Sequence, residues 1–348
     1  MDKIAIYAAV NTKIRAMEGK FLTESDYETL LEKKSVPEIA FYLRDSTFYG
    51  QFLKDLPADK LSRRYIEDIL KRNMIINMDK LLHYFRYDYK KFISSFYLKY
   101  EIEDLKVLAR EIFNNEKFDI TERPLSFLGK YSKIEPEKFL KAKTVEELIY
   151  ATEGSDFFDI LKPLLRTKTE NLFRFEMLLD AGYFRILENK MKNVSKEDSI
   201  ILKKWEGMVA DLYNIQWIYR GKKFYNISPE ELLNYTINFG DKLNFTKRRA
   251  MCYTKTLDEL YAMAQDAGYG FLFKKEEMSR DIYMERRINR YIYYKLKKLA
   301  REYSMSIMQT INYIYSFEFE IRDIISIMES IRYSMQPDQI NKFLIKAI

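Results

Sequence analysis

Cysteine and histidine each occur once in the 348 residues, as Cys252 and His83. One cysteine excludes a disulfide framework within the chain and suits a reducing compartment. One residue of each kind also excludes a metal site built from several His and Cys ligands. A lone histidine inside Lys80-Leu81-Leu82-His83-Tyr84-Phe85 reads as a surface or packed residue of an amphipathic helix rather than a base. As a nucleophile Cys252 needs a neighbouring base, and the one histidine is remote in sequence. The cysteine therefore reads as a buried structural thiol, placed by the pattern at the head of a helix. Glycine (10) and proline (7) are scarce, far below the usual ~7% and ~5%. With so few breaks, most of the length must be helix, and no segment reads convincingly as a strand. A Gly-rich phosphate loop ending in Lys-Ser/Thr is absent, which removes that class of nucleotide site. Long apolar runs are missing too. The longest uncharged stretch, Tyr303 to Phe317, contains Ser, Gln, Asn and Tyr and falls short of the ~20 apolar residues of a spanning helix. The opening Met1-Asp2-Lys3-Ile4-Ala5 carries no signal-peptide core. A chain soluble by itself, without catalytic group, cofactor or metal, is the expectation.

What is present is charge, aromatic surface and repetition. Charged residues make up 32% and apolar ones 47%, with 28 Tyr and 24 Phe. This composition suits a well-cored helical protein with broad packing surfaces and argues against disorder. The net charge of +7 permits an acidic partner without demanding one.

Two signatures each recur three times. Ser35-Val36-Pro37-Glu38-Ile39 returns as Thr144-Val145-Glu146-Glu147-Leu148 and Thr256-Leu257-Asp258-Glu259-Leu260, at intervals of 109 and 112 residues. Glu101-Ile102-Glu103-Asp104-Leu105 returns as Asp211-Leu212-Tyr213-Asn214-Ile215 and Glu320-Ile321-Arg322-Asp323-Ile324, at intervals of 110 and 109. Ser or Thr followed three residues later by Glu is a capping box at a helix start. In the second signature Ile102/Leu105/Leu108, Leu212/Ile215/Ile218 and Ile321/Ile324/Ile327 form one apolar helical stripe. A weaker match sets Phe48-Tyr49-Gly50 beside Phe157-Phe158-Asp159 and Gly268-Tyr269-Gly270. The expectation is an all-α chain of three helical-bundle repeats of about 110 residues, over residues 1–120, 121–235 and 236–348, without a low-complexity linker between them.

Along the chain, Ile4 to Met17 reads as a helix stopped at Gly19, and Thr23-Glu24-Ser25-Asp26 opens the next. After Asp55-Leu56-Pro57-Ala58-Asp59 an amphipathic run from Leu61 to about Phe113 holds two or more helices. Copy two begins near Pro124. Ser228-Pro229-Glu230-Glu231 is a strong helix start, with cap, proline and acid in order. Copy three begins near Phe239-Gly240, contains a basic, aromatic helix from Glu276 to Tyr303, and runs to Ile348.

Several groups invite a functional reading. Glu101/Asp104, Asp211/Asn214 and Glu320/Asp323 each share one helical face and could bind a cation or serve acid–base work; a solvated or partner-facing side is the simpler expectation. Tyr84-Phe85-Arg86-Tyr87-Asp88-Tyr89-Lys90-Lys91-Phe92 and Arg286-Arg287-Ile288-Asn289-Arg290-Tyr291 combine cations and rings in the manner of single-strand binders, and Lys295-Leu296-Lys297-Lys298 could touch anionic lipid. Acidic residues interleave the aromatic stretches and no nucleic-acid motif frames them, so solvated helix faces are expected.

Three segments resemble a known family. Tyr7 to Thr23, with Ile14-Arg15-Ala16-Met17-Glu18-Gly19-Lys20-Phe21-Leu22-Thr23, is similar to the opening of the C-subunit family of V/A-type (vacuolar/archaeal-type) ATPases, related to the d subunit of the eukaryotic V-ATPase. Asp45-Ser46-Thr47-Phe48-Tyr49-Gly50 and Asn214-Ile215-Gln216-Trp217-Ile218-Tyr219-Arg220-Gly221-Lys222 resemble two further elements of that family. Phe21 stands where leucine is usual, and the third copy has no Arg-Gly-Lys element. The resemblance implies an all-helical funnel of three bundles around a pseudo-threefold axis. It implies a noncatalytic central-stalk component of a rotary ATPase, held at the cytoplasmic face of the membrane, with the D- and F-type shaft subunits and the membrane rotor ring as partners. Arg220, Lys222, Lys223, Phe224 and Tyr225 are the candidate partner interface, where a glycine-ended helix presents cations and rings together. The same cations also suit the neutralisation of a helix C-terminus. The alternative function is a free-standing helical scaffold or nucleic-acid-binding protein.

Overall fold

The computed structural model describes residues 3–54, 61–114, 133–167, 172–273 and 282–346, and these contain helices and no strands. In chain order the helices are α1 (Lys3–Glu18), α2 (Glu24–Glu32), α3 (Val36–Ser46), α4 (Gly50–Leu53), α5 (Arg63–Leu82), α6 (Tyr87–Ser94), α7 (Leu98–Phe113), α8 (Pro136–Lys141), α9 (Val145–Ala151), α10 (Phe158–Thr167), α11 (Leu172–Met191), α12 (Lys196–Phe224), α13 (Pro229–Tyr235), α14 (Phe245–Cys252), α15 (Leu257–Asp266), α16 (Ile282–Glu302), α17 (Met308–Arg332) and α18 (Pro337–Asn341). The all-α expectation holds. The linker Asp55–Asp59, the start of copy two near Pro124, the 120/121 boundary, the beginning of the stretch from Glu276 and the terminal Ile348 lie outside the described residues.

The chain divides into two compact units, Met1–Arg86 with Phe271–Ile348, and Tyr87–Gly270. In the first, α17 is the central element and packs on α16, α5, α1 and α3, while α18 meets α17 and α2. Nearly every residue from Met308 to Phe319 is buried, so this helix is enclosed on all sides, as a helix without a polar face must be. Phe21 stacks on Tyr313 at 5.4 Å and tilts against Phe317 at 5.7 Å. Ring pairs in such offset and tilted geometries add to the burial of their area.

In the second unit α12 plays that part. It packs on α11, α13, α14 and α15, and α11 also packs on α7. The 29 residues of α12 extend over ~44 Å at 1.5 Å each. Trp205 to Leu212 are buried without interruption. Gly207 is what lets the chain between α13 and α14 lie directly on this helix: a Cβ there would stand 2.8 Å from the Asp241 nitrogen and 2.9 Å from the Gly240 carbonyl carbon.

Candidate functional site

The three Ser/Thr signatures build the same cap. Ser35, Thr144 and Thr256 each accept from the backbone N–H three residues on, at Glu38, Glu147 and Glu259. The glutamates reach one residue further back than a capping box requires. They accept from the backbone of Lys34, Lys143 and Lys255, at 3.2, 2.8 and 2.7 Å. Each satisfies a donor just outside the helix, and that departure recurs in all three copies.

The carboxylate pairs correct the sequence expectation. Glu101, Asp104, Asp211, Asn214, Glu320 and Asp323 are all buried, the last four at 0% exposure, so none lies on a solvated or partner-facing side. In α12 and α17 they grip backbone from other segments. Asp211 accepts from the Lys242 N–H at 2.7 Å, the Leu243 N–H at 3.3 Å and the Tyr269 hydroxyl at 3.0 Å. Glu320 accepts from the Leu22 N–H at 3.0 Å, the Tyr49 hydroxyl at 2.8 Å and the Lys346 ammonium at 2.6 Å. Leu22 and Leu243 occupy one register, each just before the N-cap of a short helix, Thr23 for α2 and Asn244 for α14. One turn on, Asn214 exchanges two hydrogen bonds with Ile237 (2.7 and 3.1 Å), and Asp323 accepts from the N–H groups of Ile345 and Lys346 (2.6 and 3.0 Å). Asp211 and Glu320 thus each clamp a loop and a tyrosine that lie outside their own helix.

The acceptor atoms of Asp211, Asn214, Glu320 and Asp323 in these contacts are taken by protein donors, so the geometry is that of a clamp rather than of a cation site. Among the described residues no group of three His, Cys, Asp or Glu could hold a metal ion. Burial raises the affinity of Asp211 and Glu320 for a proton, and the hydrogen bonds they accept oppose it. The aromatic match needs one adjustment: the buried ring of copy two is Phe157, at 0% exposure, and Phe158 is half-buried. The Phe157 N–H donates to Ser155 Oγ as the Tyr49 N–H does to Thr47 Oγ, which fixes Phe157 as the counterpart of Tyr49.

The candidate interface lies at the end of α12, which does not stop at glycine. The helix continues to Phe224, and Gly221 is buried where a Cβ would come within 2.3 Å of Leu232 Cδ2. Glycine serves there for the approach of α13, not for termination. The chain turns instead at Asn226, with φ +48°. Lys222 is tied down, donating to the Thr254 carbonyl at 2.8 Å, and desolvation lowers its proton affinity. Lys223 donates to the Tyr219 hydroxyl at 2.9 Å and lies over the Tyr219 and Phe224 rings. Arg220 is half-buried. Phe224 and Tyr225 stand 53% and 60% exposed, with Tyr225 braced against Phe173 at 5.0 Å. Nearby, Tyr253, under the Arg249 guanidinium, donates to Glu230 at 2.8 Å. The outcome is a rigid end carrying Lys223, Phe224 and Tyr225, with Lys222 and Arg220 behind.

Sequence reading missed a second such end. Tyr333 is 69% exposed and Ser334 has φ +51°, following α17 as Tyr225 and Asn226 follow α12. Pro229 and Pro337 then open α13 and α18 at matching positions. The shared tyrosine and the proline four residues later were the available signal.

Several of the remaining candidates pack or pair within the protein. His83 is exposed at the end of α5. Cys252 is buried at the last position of α14 rather than the head of a helix, and burial pushes its thiol up to about 11. In the first basic-aromatic stretch Phe85 and Phe92 are buried, and the Tyr89 hydroxyl donates to Asp198. In the second, Arg287 donates to the Leu272 carbonyl and Arg290 to those of Leu344 and Asn341. Of the lysine run, Lys297 lies over Tyr293 and Lys298 pairs with Glu302. No helix among the described residues is long and apolar enough to cross a membrane.

Residues 10–343 match the family model of the ATP synthase (C/AC39) subunit. Several relatives align along almost all of the chain. The C subunit of the A-type ATP synthase of Methanocaldococcus jannaschii is 26% identical across 98% of this chain and 87% of its own length. Those of Pyrococcus furiosus and Desulfurococcus sp. are 27% and 25% identical, each across 98% of this chain and 91% of the relative.

Proposed function

Because the chain belongs to the ATP synthase (C/AC39) subunit family, we propose that it is the noncatalytic coupler of a rotary ATPase, joining the central shaft to the membrane rotor ring. The observation that carries this reading is the family match over nearly the whole chain, in which the most specific motif, Asn214 to Lys222, lies in the central helix of one unit. In this reading the three repeats, 1–120, 121–235 and 236–348, form a collar at the cytoplasmic face of the membrane. D- and F-type shaft subunits enter it and the ring lies beneath. Torque transmission needs a stiff body, which long helices enclosed by packing supply. It also needs contacts that do not slip, and exposed rings beside cations supply hot-spot chemistry and register.

Purification of the tagged chain from its own membranes in mild detergent tests the assignment. Recovery of a small apolar ring-forming protein with soluble nucleotide-binding subunits supports it; a chain recovered alone or with nucleic acid refutes it. The interface is tested by Lys223→Glu combined with Tyr225→Ala. Both residues are exposed, so unfolding should change by no more than the loss of the Lys223–Tyr219 and Tyr225–Phe173 contacts. Loss of an aromatic anchor and reversal of a charge should weaken assembly at least ~10-fold, read as the fraction of chain that co-purifies. Unchanged assembly removes this turn from the interface.

A further inference from the structure

Glu206 of α12 is at 0% exposure, yet among the described residues neither of its carboxylate oxygens has a hydrogen-bond partner. It differs in this from Asp211 five residues on, whose carboxylate accepts from Lys242, Leu243 and Tyr269. The side chains around it on the helix are apolar and buried: Leu202, Trp205, Val209 and Ala210.

The internal repeat shows what this position holds elsewhere. Five residues before Glu101 and Glu320, the counterparts of Asp211, stand Phe96 and Tyr315, both buried. Phe96 packs on the Phe92 ring at 5.6 Å, and Tyr315 on that of Phe319 at 5.8 Å. Glu206 puts an acid where the other two copies keep a ring. Packing alone does not call for it.

We propose that Glu206 is a proton-operated switch in the second unit: α12 closes on the neutral carboxyl, and its packing opens when the carboxyl ionises. A neutral carboxyl in an apolar setting forgoes a hydrogen bond or two, whereas a carboxylate there also forgoes the solvation of its charge, a far larger penalty. The charge can be met by water or by Lys99 at the start of α7. The Lys99 ammonium lies instead over the Phe96 and Tyr183 rings, at 5.9 and 5.8 Å. Either donor must be let into the packing of α12, which is how ionisation opens it.

Lys99 and the Trp205 indole are the groups that favour the ionised form, and burial outweighs both, pushing Glu206 up to about 7 from an ordinary 4.5. Among the described residues no charged group of α11, α13, α14 or α15, which pack on α12, acts on it. The folded unit therefore holds a proton that the unfolded chain has released. The stability that this proton confers is fully present below about 4.5, is lost as pH rises toward about 7, and changes no further above it.

Hydrogen exchange of the full chain, resolved by peptide and corrected for intrinsic rates, reads the opening of α12. In residues 202–212 it should rise by up to ~10-fold per pH unit between pH 5 and 7, one proton's worth, and level off above. Glu206→Gln keeps the shape and the neutrality of the protonated acid, so it should lose that rise. Local reading is needed because Asp323 of the other unit is also raised to about 7. The Trp205 indole beside the carboxyl supplies a second readout on the native chain. Its emission should change with a midpoint near pH 7 in the wild type and not in Glu206→Gln. Lys99→Met removes the cation that favours ionisation and should move this midpoint upward; an unmoved midpoint contradicts the part given to Lys99. A flat wild-type exchange profile overturns the proposal without recourse to any variant. So does a folded Glu206→Gln chain that retains the wild-type slope.

Discussion

Asp211→Ala should lower the unfolding free energy by about 3–5 kcal/mol, the cost of leaving buried and part-buried donors without their acceptor. The carboxylate satisfies the Lys242 and Leu243 N–H groups and the Tyr269 hydroxyl at once. Each orphaned donor costs ~1–3 kcal/mol, offset in part by relief of the acid's own desolvation. Asp211→Asn should cost less, about 1–2 kcal/mol, because its carbonyl oxygen still accepts while its NH₂ now faces a donor. Both tryptophans, Trp205 and Trp217, lie in α12 with Asp211, so urea unfolding followed by their fluorescence reports on the right unit. A loss below ~1 kcal/mol for Asp211→Ala would show that the clamp is geometry without energetic weight.

Gly207→Ala is expected to be nearly as damaging, at about 3 kcal/mol, at the upper end of overpacking penalties. Its new methyl would stand 2.8 Å from the Asp241 nitrogen and 2.9 Å from the Gly240 carbonyl carbon, and backbone cannot rotate aside. The informative comparison is Gly221→Ala in the same helix. There the obstruction is Leu232 Cδ2, the far end of a side chain with other rotamers, and alanine's helix propensity returns ~1 kcal/mol. Gly221→Ala should therefore be close to neutral in the same unfolding experiment. Equal losses at the two glycines would mean that the close approach of the α13–α14 connection to α12 is not what Gly207 provides.

Local chemistry was readable from the residues. The Ser35, Thr144 and Thr256 caps depend on atoms within four residues, and the structure builds them where the pattern put them. The carboxylate pairs were misread because an acid three residues from another normally marks a wet helix face. What buries Glu320 includes Leu22, at the far end of the sequence, and no periodicity carries that information. The glycine of the Arg-Gly-Lys element was read as a stop, since glycine usually ends helices. Its actual use, contact with Leu232 of α13, is tertiary. The segments that carried the family resemblance now have physical content. Leu22 and Thr23 are clamp and cap, Tyr49 and Asn214 are clamp partners, and Gly50 sits where a Cβ would come within 2.1 Å of the Arg44 carbonyl oxygen. Much of the family signature is thus the machinery that holds loops onto the long helices. The exposed end at Tyr333 shares with that at Tyr225 only the tyrosine and the proline four residues later, a signal too short to stand out without the structure.

In the proposed function the chain transmits torque and performs no chemistry. Vesicles bearing the complete ATPase, prepared with the chain and depleted of it, test this in one experiment by recording ATP hydrolysis and ATP-driven ion uptake together. Without the chain, hydrolysis by the soluble sector should persist while ion uptake disappears, and adding the purified chain back should restore uptake. Ion uptake that continues at the same rate per ATP in its absence would contradict the account.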